Sequence, residues 1–96
     1  MIEVRLTTVF SGWLSDLRDR NAHSRIVTRL RRIELGNFGD VKPVGEGVSE
    51  LRIDYGPGYR LYFVQRGDVI VIMLCGGDKK SQKNDILCAK KMAKET

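Results

Sequence analysis

Histidine and cysteine are scarce: the 96 residues hold one histidine and two cysteines. Cys75 and Cys88 make neither a zinc spacing nor a disulfide framework. They read as two reduced, part-buried thiols of a cytosolic protein. His23 stands alone at a helix start, with no second histidine to build a metal site. Neither cysteine has an evident histidine partner for nucleophilic catalysis. Long apolar runs are missing too: the longest candidate, Val69–Cys75, falls well short of the ~18 residues a membrane span needs. Met1 to Arg5 lacks the basic region and apolar stretch of a secretory signal. No GxxxxGK[ST] pattern occurs, which argues against nucleotide hydrolysis. The expectation is a cytoplasmic protein with no membrane partner, no metal and no small-molecule cofactor.

What is present describes a small globular unit, expected as one domain over residues 1–96. Hydrophobic residues make up 42% of the chain, enough to exclude a wholly disordered polypeptide. A core of this size buries only ~60–68% of the surface its unfolded chain exposes, so a bound partner would add to a thin margin. Lysine and arginine total 17 against 12 acidic residues, a net charge of +5, with a pI near 9.5. That balance fits a polyanionic partner. It also fits a charged surface kept for solubility, so the placement of the cations matters more than their number.

The patterning predicts an α+β chain. Ile2 to Thr7 alternate as a short strand. Thr7 or Thr8 caps a helix whose apolar stripe is Phe10, Trp13, Leu14 and Leu17. A second helix follows from about Ala22 to Leu35, its apolar face Ile26, Leu30 and Ile33, with Gly36 as its C-terminal cap. Gly36 to Gly47 reads as a loop with one short strand, Val41–Val44. Three antiparallel strands come next, joined by turns at Tyr55–Gly58 and Gly67-Asp68; the last is apolar on both sides and is expected to be central. Asp78 or Ser81 then caps a final helix with a thin stripe of Ile86, Ala89 and Ala93. The order is β-α-α-β-β-β-α, with helices expected on one face of a small sheet.

Side-chain parity gives the first functional signal. If Leu51 and Ile53 share the core face with Leu61 and Phe63, Arg52 and Arg60 share the other face. A register pairing Ile53 with Tyr59 sets the two arginines directly opposite each other, a repulsive arrangement worth a few tenths to ~1 kcal/mol. Two explanations stay open. Glu50 and Asp54 neutralise the pair in an ion-pair ladder, or the pair faces an anion through guanidinium forks. Tyr62, one step along the same face, either stacks on a base or packs over the sheet. Gly76-Gly77-Asp78-Lys79-Lys80-Ser81 is either a phosphate cradle before a helix or a strand end with a capped helix. The registers place Cys75 near Arg60, so this segment is expected beside the arginines in one positive concavity. Arg25, Arg29 and Arg32 fall on one stripe of the second helix; such a stripe is either a solvated face or a seat for an acidic partner or an RNA backbone.

Two motifs carry a resemblance. Glu50-Leu51-Arg52-Ile53-Asp54-Tyr55-Gly56-Pro57-Gly58-Tyr59-Arg60-Leu61-Tyr62-Phe63 resembles the RelE/ParE superfamily of bacterial toxins, in its phage-derived, HigB-like branch of addiction-module killer proteins. Leu74-Cys75-Gly76-Gly77-Asp78-Lys79-Lys80-Ser81-Gln82 is similar to the second signature of that branch, and the two N-terminal helices match in order. The resemblance covers essentially the whole chain. It implies a RelE-like fold: a small antiparallel sheet with two N-terminal helices and a C-terminal helix. It also implies the toxin of a type II toxin–antitoxin module, neutralised by a cognate helix-turn-helix antitoxin.

Ribosome-dependent members cut mRNA in the ribosome without a metal, using the RNA 2′-hydroxyl as nucleophile. On that resemblance Arg60 matches the arginine that contacts the scissile phosphate, Arg52 stands at a basic strand position, and Lys79 or Lys80 stands where a cation follows the last strand. Fixed cations of this kind stabilise a pentavalent phosphorane. Tyr62, Arg25, Arg29 and Arg32 are the candidate RNA-binding residues. Two features depart from the family pattern. Glu50 occupies a position that is basic in some members, and the last helix has no tyrosine or histidine to act as acid or base, although Asp85 is near that place. A missing acid or base is also what the gyrase-poisoning ParE relatives show. The alternatives are therefore a non-enzymatic DNA gyrase inhibitor and a basic nucleic-acid-binding module without toxicity.

Overall fold

The computed structural model describes residues 1–96. Its elements are β1 (Glu3–Leu6), α1 (Thr8–Asp16), α2 (Arg20–Glu34), β2 (Val41–Gly45), β3 (Val48–Ile53), β4 (Tyr59–Arg66), β5 (Ile70–Gly77) and α3 (Gln82–Glu95). Each early boundary has a local cause. The Thr7 hydroxyl accepts from the Phe10 amide at 3.0 Å and starts α1. The Asp19 carboxylate accepts from the Asn21 and Ala22 amides at 2.9 and 3.2 Å and starts α2. These caps satisfy amides that a helix start otherwise leaves unpaired. At the β2–β3 turn, Glu46 and Gly47 both have positive φ, 55° and 80°, as a two-residue hairpin turn demands.

The sheet has five strands in the order β1-β5-β4-β3-β2. The β2–β3, β3–β4 and β4–β5 pairs are antiparallel. β1 runs parallel to β5 at the far edge, so the α+β order holds while the sheet is mixed rather than wholly antiparallel. The short strand expected over Val41–Val44 is present as β2.

Two cores flank the sheet. On one face, Phe10 and Leu14 of α1 and Ala22, Ile26 and Ile33 of α2 pack on Leu51, Ile53, Leu61, Phe63, Val71 and Met73. On the other, Ala89 of α3 packs on Val48, Tyr62, Val64, Leu74 and Cys75. Full burial of a side chain such as Phe10 or Ile26 contributes ~1.5–3 kcal/mol. The expectation that all helices lie on one face is corrected here: α3 takes the opposite face. Central strands apolar on both sides need two covers, and α3 supplies the second.

A bulge sets the registry of this second face. Tyr62 pairs with Cys75, but Phe63 pairs with Met73, leaving Leu74 as the extra residue. Leu74 and Cys75 consequently both contribute to the core under α3. The strand ends move as well: Arg66 pairs with Ile70, so the turn expected at Gly67-Asp68 has three residues, Gly67 to Val69, and this extra residue and the bulge together set Arg60 across from Gly77 rather than Cys75.

Candidate nucleic-acid interface

Arg52 and Arg60 are direct cross-strand partners, flanked by the Ile53–Tyr59 pair. The core residues on either side of them face α1 and α2, so parity turns both arginines to the α3 side. α3 begins only at Gln82, and its core covers the Val48, Tyr62 and Val64 part of that face. The arginine end lies beyond it. There the chain forms a hollow of about 330 Å³ with no hydrophobic side chain in its wall, lined by Asp40, Arg52, Asp54, Gly56, Pro57, Gly58, Arg60 and Lys79. Gly58 turns the chain at this wall with φ +81°, a conformation that favours glycine; a Cβ there would make only ordinary contacts, 3.5 Å from Lys79 Cβ and 3.8 Å from Arg60 Nη1.

The two guanidiniums are held differently. Arg52 Nε donates to Glu50 Oε1 at 3.0 Å. Glu50 Oε2 accepts from Gln82 Nε2 at 2.7 Å and from the Tyr62 hydroxyl at 3.2 Å. This carboxylate is fully buried. Burial by itself raises its pKa, but the hydrogen bonds from Gln82, Arg52 and Tyr62 and the Arg52 charge outweigh that and hold it below the usual carboxylate range. Arg60 has no such anchor: its Nε is buried and has no hydrogen-bond partner. A buried donor left unpaired costs ~1–3 kcal/mol. An anion entering the hollow would meet a second guanidinium and an ammonium beside it. The chain's five ion pairs use none of Arg60, Lys79, Arg25, Arg29 or Arg32.

Lys80 is exposed and does not line the hollow; its amide donates to Asp78 Oδ1 at 2.9 Å. Tyr62 is a correction: it is fully buried, donates to Glu50, and presents no ring to a base. Burial, and then the Glu50 charge, push its phenol pKa well up. The glycine pair is a correction to the cradle reading. A Cβ on Gly76 would stand 2.5 Å from the Trp13 ring, and one on Gly77 would overlap Asp85 Oδ2. The two glycines thus admit side chains from α1 and α3 rather than a phosphate. Asp85, near the acid/base position of the family, accepts from the Ser81 hydroxyl at 2.5 Å and is not part of the hollow.

The arginine stripe of α2 is divided as well. Arg29 donates to the carbonyls of Arg52 at 2.8 Å and Phe38 at 3.2 Å. As a free RNA contact it is corrected: it fastens α2 to β3. Burial, then the adjacent Arg32 charge, lower its pKa. Arg25 lies 4.5 Å over the Tyr55 ring, and Tyr55 donates to the Asp19 carboxylate at 3.0 Å. With Arg32, Ser24, Thr28, Ile53 and Asp54 these arginines line a second hollow of about 260 Å³. Asp54 belongs to the walls of both hollows. The sequence presents Glu50 and Asp54 only as neutralisers of the arginine pair. Their alternation with Arg52 is the available signal, but burial of one and exposure of the other is not in it.

No cluster of three or more histidine, cysteine, aspartate or glutamate side chains is placed to hold a metal ion, and no helix is long and apolar enough to cross a membrane. No solved structure matches the chain. An uncharacterized protein of Haemophilus influenzae is 48% identical over 94 residues, which cover 98% of this chain and 95% of that protein. The family model described as Phage derived protein Gp49-like (DUF891) matches residues 12–94, a span that includes the arginine pair, the hollow and all of α3 but its last residue. The chain belongs to this Gp49-like family, which is associated with toxin–antitoxin addiction modules.

Proposed function

We propose that the protein is the toxin of a type II toxin–antitoxin module of the RelE/HigB kind and that it cleaves ribosome-bound mRNA. The observation that supports this most is the polar hollow in which Arg52 and Arg60 oppose each other beside Lys79, with Arg60 Nε unpaired. Cross-strand like charges destabilise a hairpin, so an arrangement that also leaves a buried donor free is better suited to a ligand than to stability. The ligand chemistry is a phosphodiester, which matches guanidinium forks in shape and charge.

The reaction balances without an outside reagent. The 2′-oxygen of the nucleotide bonds to the adjacent phosphorus while the bond from phosphorus to the departing 5′-oxygen breaks. Charge that accumulates on the phosphoryl oxygens falls to Arg52 and Arg60. The 2′-hydroxyl proton goes to a carboxylate at the rim, where Asp40 and Asp54 stand, and the Lys79 ammonium returns one to the 5′-oxygen. The antitoxin, expected as a helix-turn-helix protein, silences the toxin by covering this basic surface.

The test is expression in bacterial cells with mapping of mRNA 5′ ends. New ends within codons are expected, and Arg60→Ala is expected to abolish them while the variant still folds, because the truncation breaks no hydrogen bond or ion pair and removes a buried donor that has no partner. A DNA-damage response with intact mRNA would instead identify a gyrase inhibitor. A folded Arg60→Ala variant that cleaves at the wild-type rate would remove the site assignment.

A further inference from the structure

Cleavage at the arginine pair leaves the α2 hollow without a role. Arg25, Arg29 and Arg32 recur along one helical stripe, with the Ser24 and Thr28 hydroxyls beside them. None of the three arginines is in an ion pair. Arg29 is spent on backbone carbonyls, one of them that of Arg52. It therefore ties this hollow to the strand that carries an arginine of the other. Arg25 and Arg32 remain with free donors. Between the two basic hollows stands one exposed carboxylate, Asp54, a member of both walls.

An acidic group on the path of a polyanion is unfavourable unless the ligand brings a donor to that point. DNA has none along its backbone. RNA has one per nucleotide, the 2′-hydroxyl, which lies between two successive phosphates and distinguishes RNA from DNA. We propose that the α2 hollow is a second phosphate seat. A single-stranded RNA then runs from it, across Asp54, into the Arg52–Arg60 hollow, and the Asp54 carboxylate accepts the hydrogen bond of the intervening 2′-hydroxyl.

This deepens the ribonuclease reading, on which it rests, and fixes a polarity. The nucleotide between the seats has its 5′-phosphate on Arg25 and Arg32 and its 3′-phosphate on Arg52 and Arg60. Its 2′-hydroxyl is the group adjacent to the phosphate in the arginine hollow, so Asp54 rather than Asp40 takes the proton in that reaction. Asp40 lines the arginine hollow alone.

The experiment is equilibrium binding of the full chain to a short oligouridylate and to the oligodeoxyuridylate of equal length, over a range of salt. The two probes differ only in the 2′-hydroxyl. Wild type is expected to prefer the RNA. Arg25→Gln/Arg32→Gln is expected to weaken RNA binding at least about tenfold and to make the salt dependence shallower by about 0.7 for each phosphate that is no longer neutralised. The comparison variant is Lys83→Gln/Lys91→Gln, which removes the same charge from the exposed side of α3 and is expected to do neither. Asp54→Ala is expected to bring the RNA and DNA affinities together, weakening the first and strengthening the second. Equal losses from the arginine and lysine pairs would show diffuse attraction and overturn the seat. An unchanged RNA preference in Asp54→Ala, or wild type that binds neither probe at low salt, would overturn the path across Asp54. These are binding measurements on isolated protein, so they can fail while codon-internal cleavage in cells stands, and the reverse.

Discussion

The sheet face under α3 contains two neighbouring surfaces made by the same strands at the same parity. Beneath the helix, Val48, Tyr62, Val64, Leu74, Cys75 and Ala89 form a closed apolar core. Past its first turn, Arg52, Arg60 and Lys79 border an open polar hollow. Along β3 the change takes place between Val48 and Arg52, with Glu50 midway. Where α3 begins therefore decides which strand residues are core and which are free to bind. Glu50 is the boundary post. Its carboxylate is buried like the core, but it answers to Gln82 of the helix on one side and to Arg52 of the hollow on the other.

Breaking that boundary has the largest expected effect. Glu50→Ala leaves Arg52 without its anchor and the buried Tyr62 and part-buried Gln82 donors without an acceptor. Loss of one partner from such a buried pair costs ~3–5 kcal/mol; the lower end is expected because the Arg52 side chain is 34% exposed. Denaturant unfolding measures it. Glu50 also predicts a pH dependence. Its folded pKa is depressed below the ordinary value of ~4.3, so below neutrality the unfolded chain binds the proton first. The stabilisation it provides is complete above that ordinary value and is lost as pH falls through the depressed one. Glu50→Gln is expected to flatten the acid limb of a stability-versus-pH curve. An unchanged limb would mean that the carboxylate is not the link between the two surfaces.

The adjacent glycines compare the two faces of the sheet directly. Gly76→Ala drives a methyl group against the Trp13 ring, and that ring is held by Phe10 at 5.7 Å and Tyr59 at 6.2 Å. Overpacking of this kind costs ~1–3 kcal/mol. Gly77→Ala meets the Asp85 carboxylate and, at 2.8 Å, Ser81 Oγ; both are short polar side chains that can turn away, giving up the bond between them at ~1 kcal/mol. Thermal unfolding should rank Gly76→Ala as the more damaging. The reverse ranking would show that the α3 side is the stiffer one.

Much of this fold is legible in the sequence. The Arg52–Arg60 register follows from period-two alternation on β3 and β4, because a slip of one residue would put Leu51 and Leu61 in water. The doubly apolar β5 announces a strand with two covered faces. Three features are not legible, each because it depends on tertiary placement. The stripe of Ile86, Ala89 and Ala93 says that α3 packs, but not on which face. The bulge at Tyr62–Phe63 and the third turn residue, Val69, leave no mark in an apolar run, and without them the position of Cys75 relative to Arg60 is misjudged by two residues. Tyr62 shares the parity of the arginines, and only the reach of α3 separates a buried hydroxyl donor from an exposed stacking platform. Arg29 is a further case: a long side chain on a basic stripe can end on a carbonyl of another element, and helical spacing carries no information about that.

The smallest expected effect tests how closed the covered half is. Cys75 is buried and Cys88 exposed. Burial, with Cys88 and Asp85 nearby, pushes the Cys75 thiol up to about 12, and its Sγ donates to the Asp85 carbonyl at 3.8 Å. An alkylating reagent at neutral pH should therefore modify one thiol per folded chain, at Cys88, and reach Cys75 only when α3 opens or the chain unfolds. Cys88→Ser should change stability by no more than about 0.5 kcal/mol and leave the folded protein almost unreactive. If both thiols were instead modified at similar rates under native conditions, α3 would be opening at little cost. The division between a closed core and an open hollow would then describe only one of the states the sheet face adopts, and Glu50 would spend part of its time as a carboxylate in water beside the arginines.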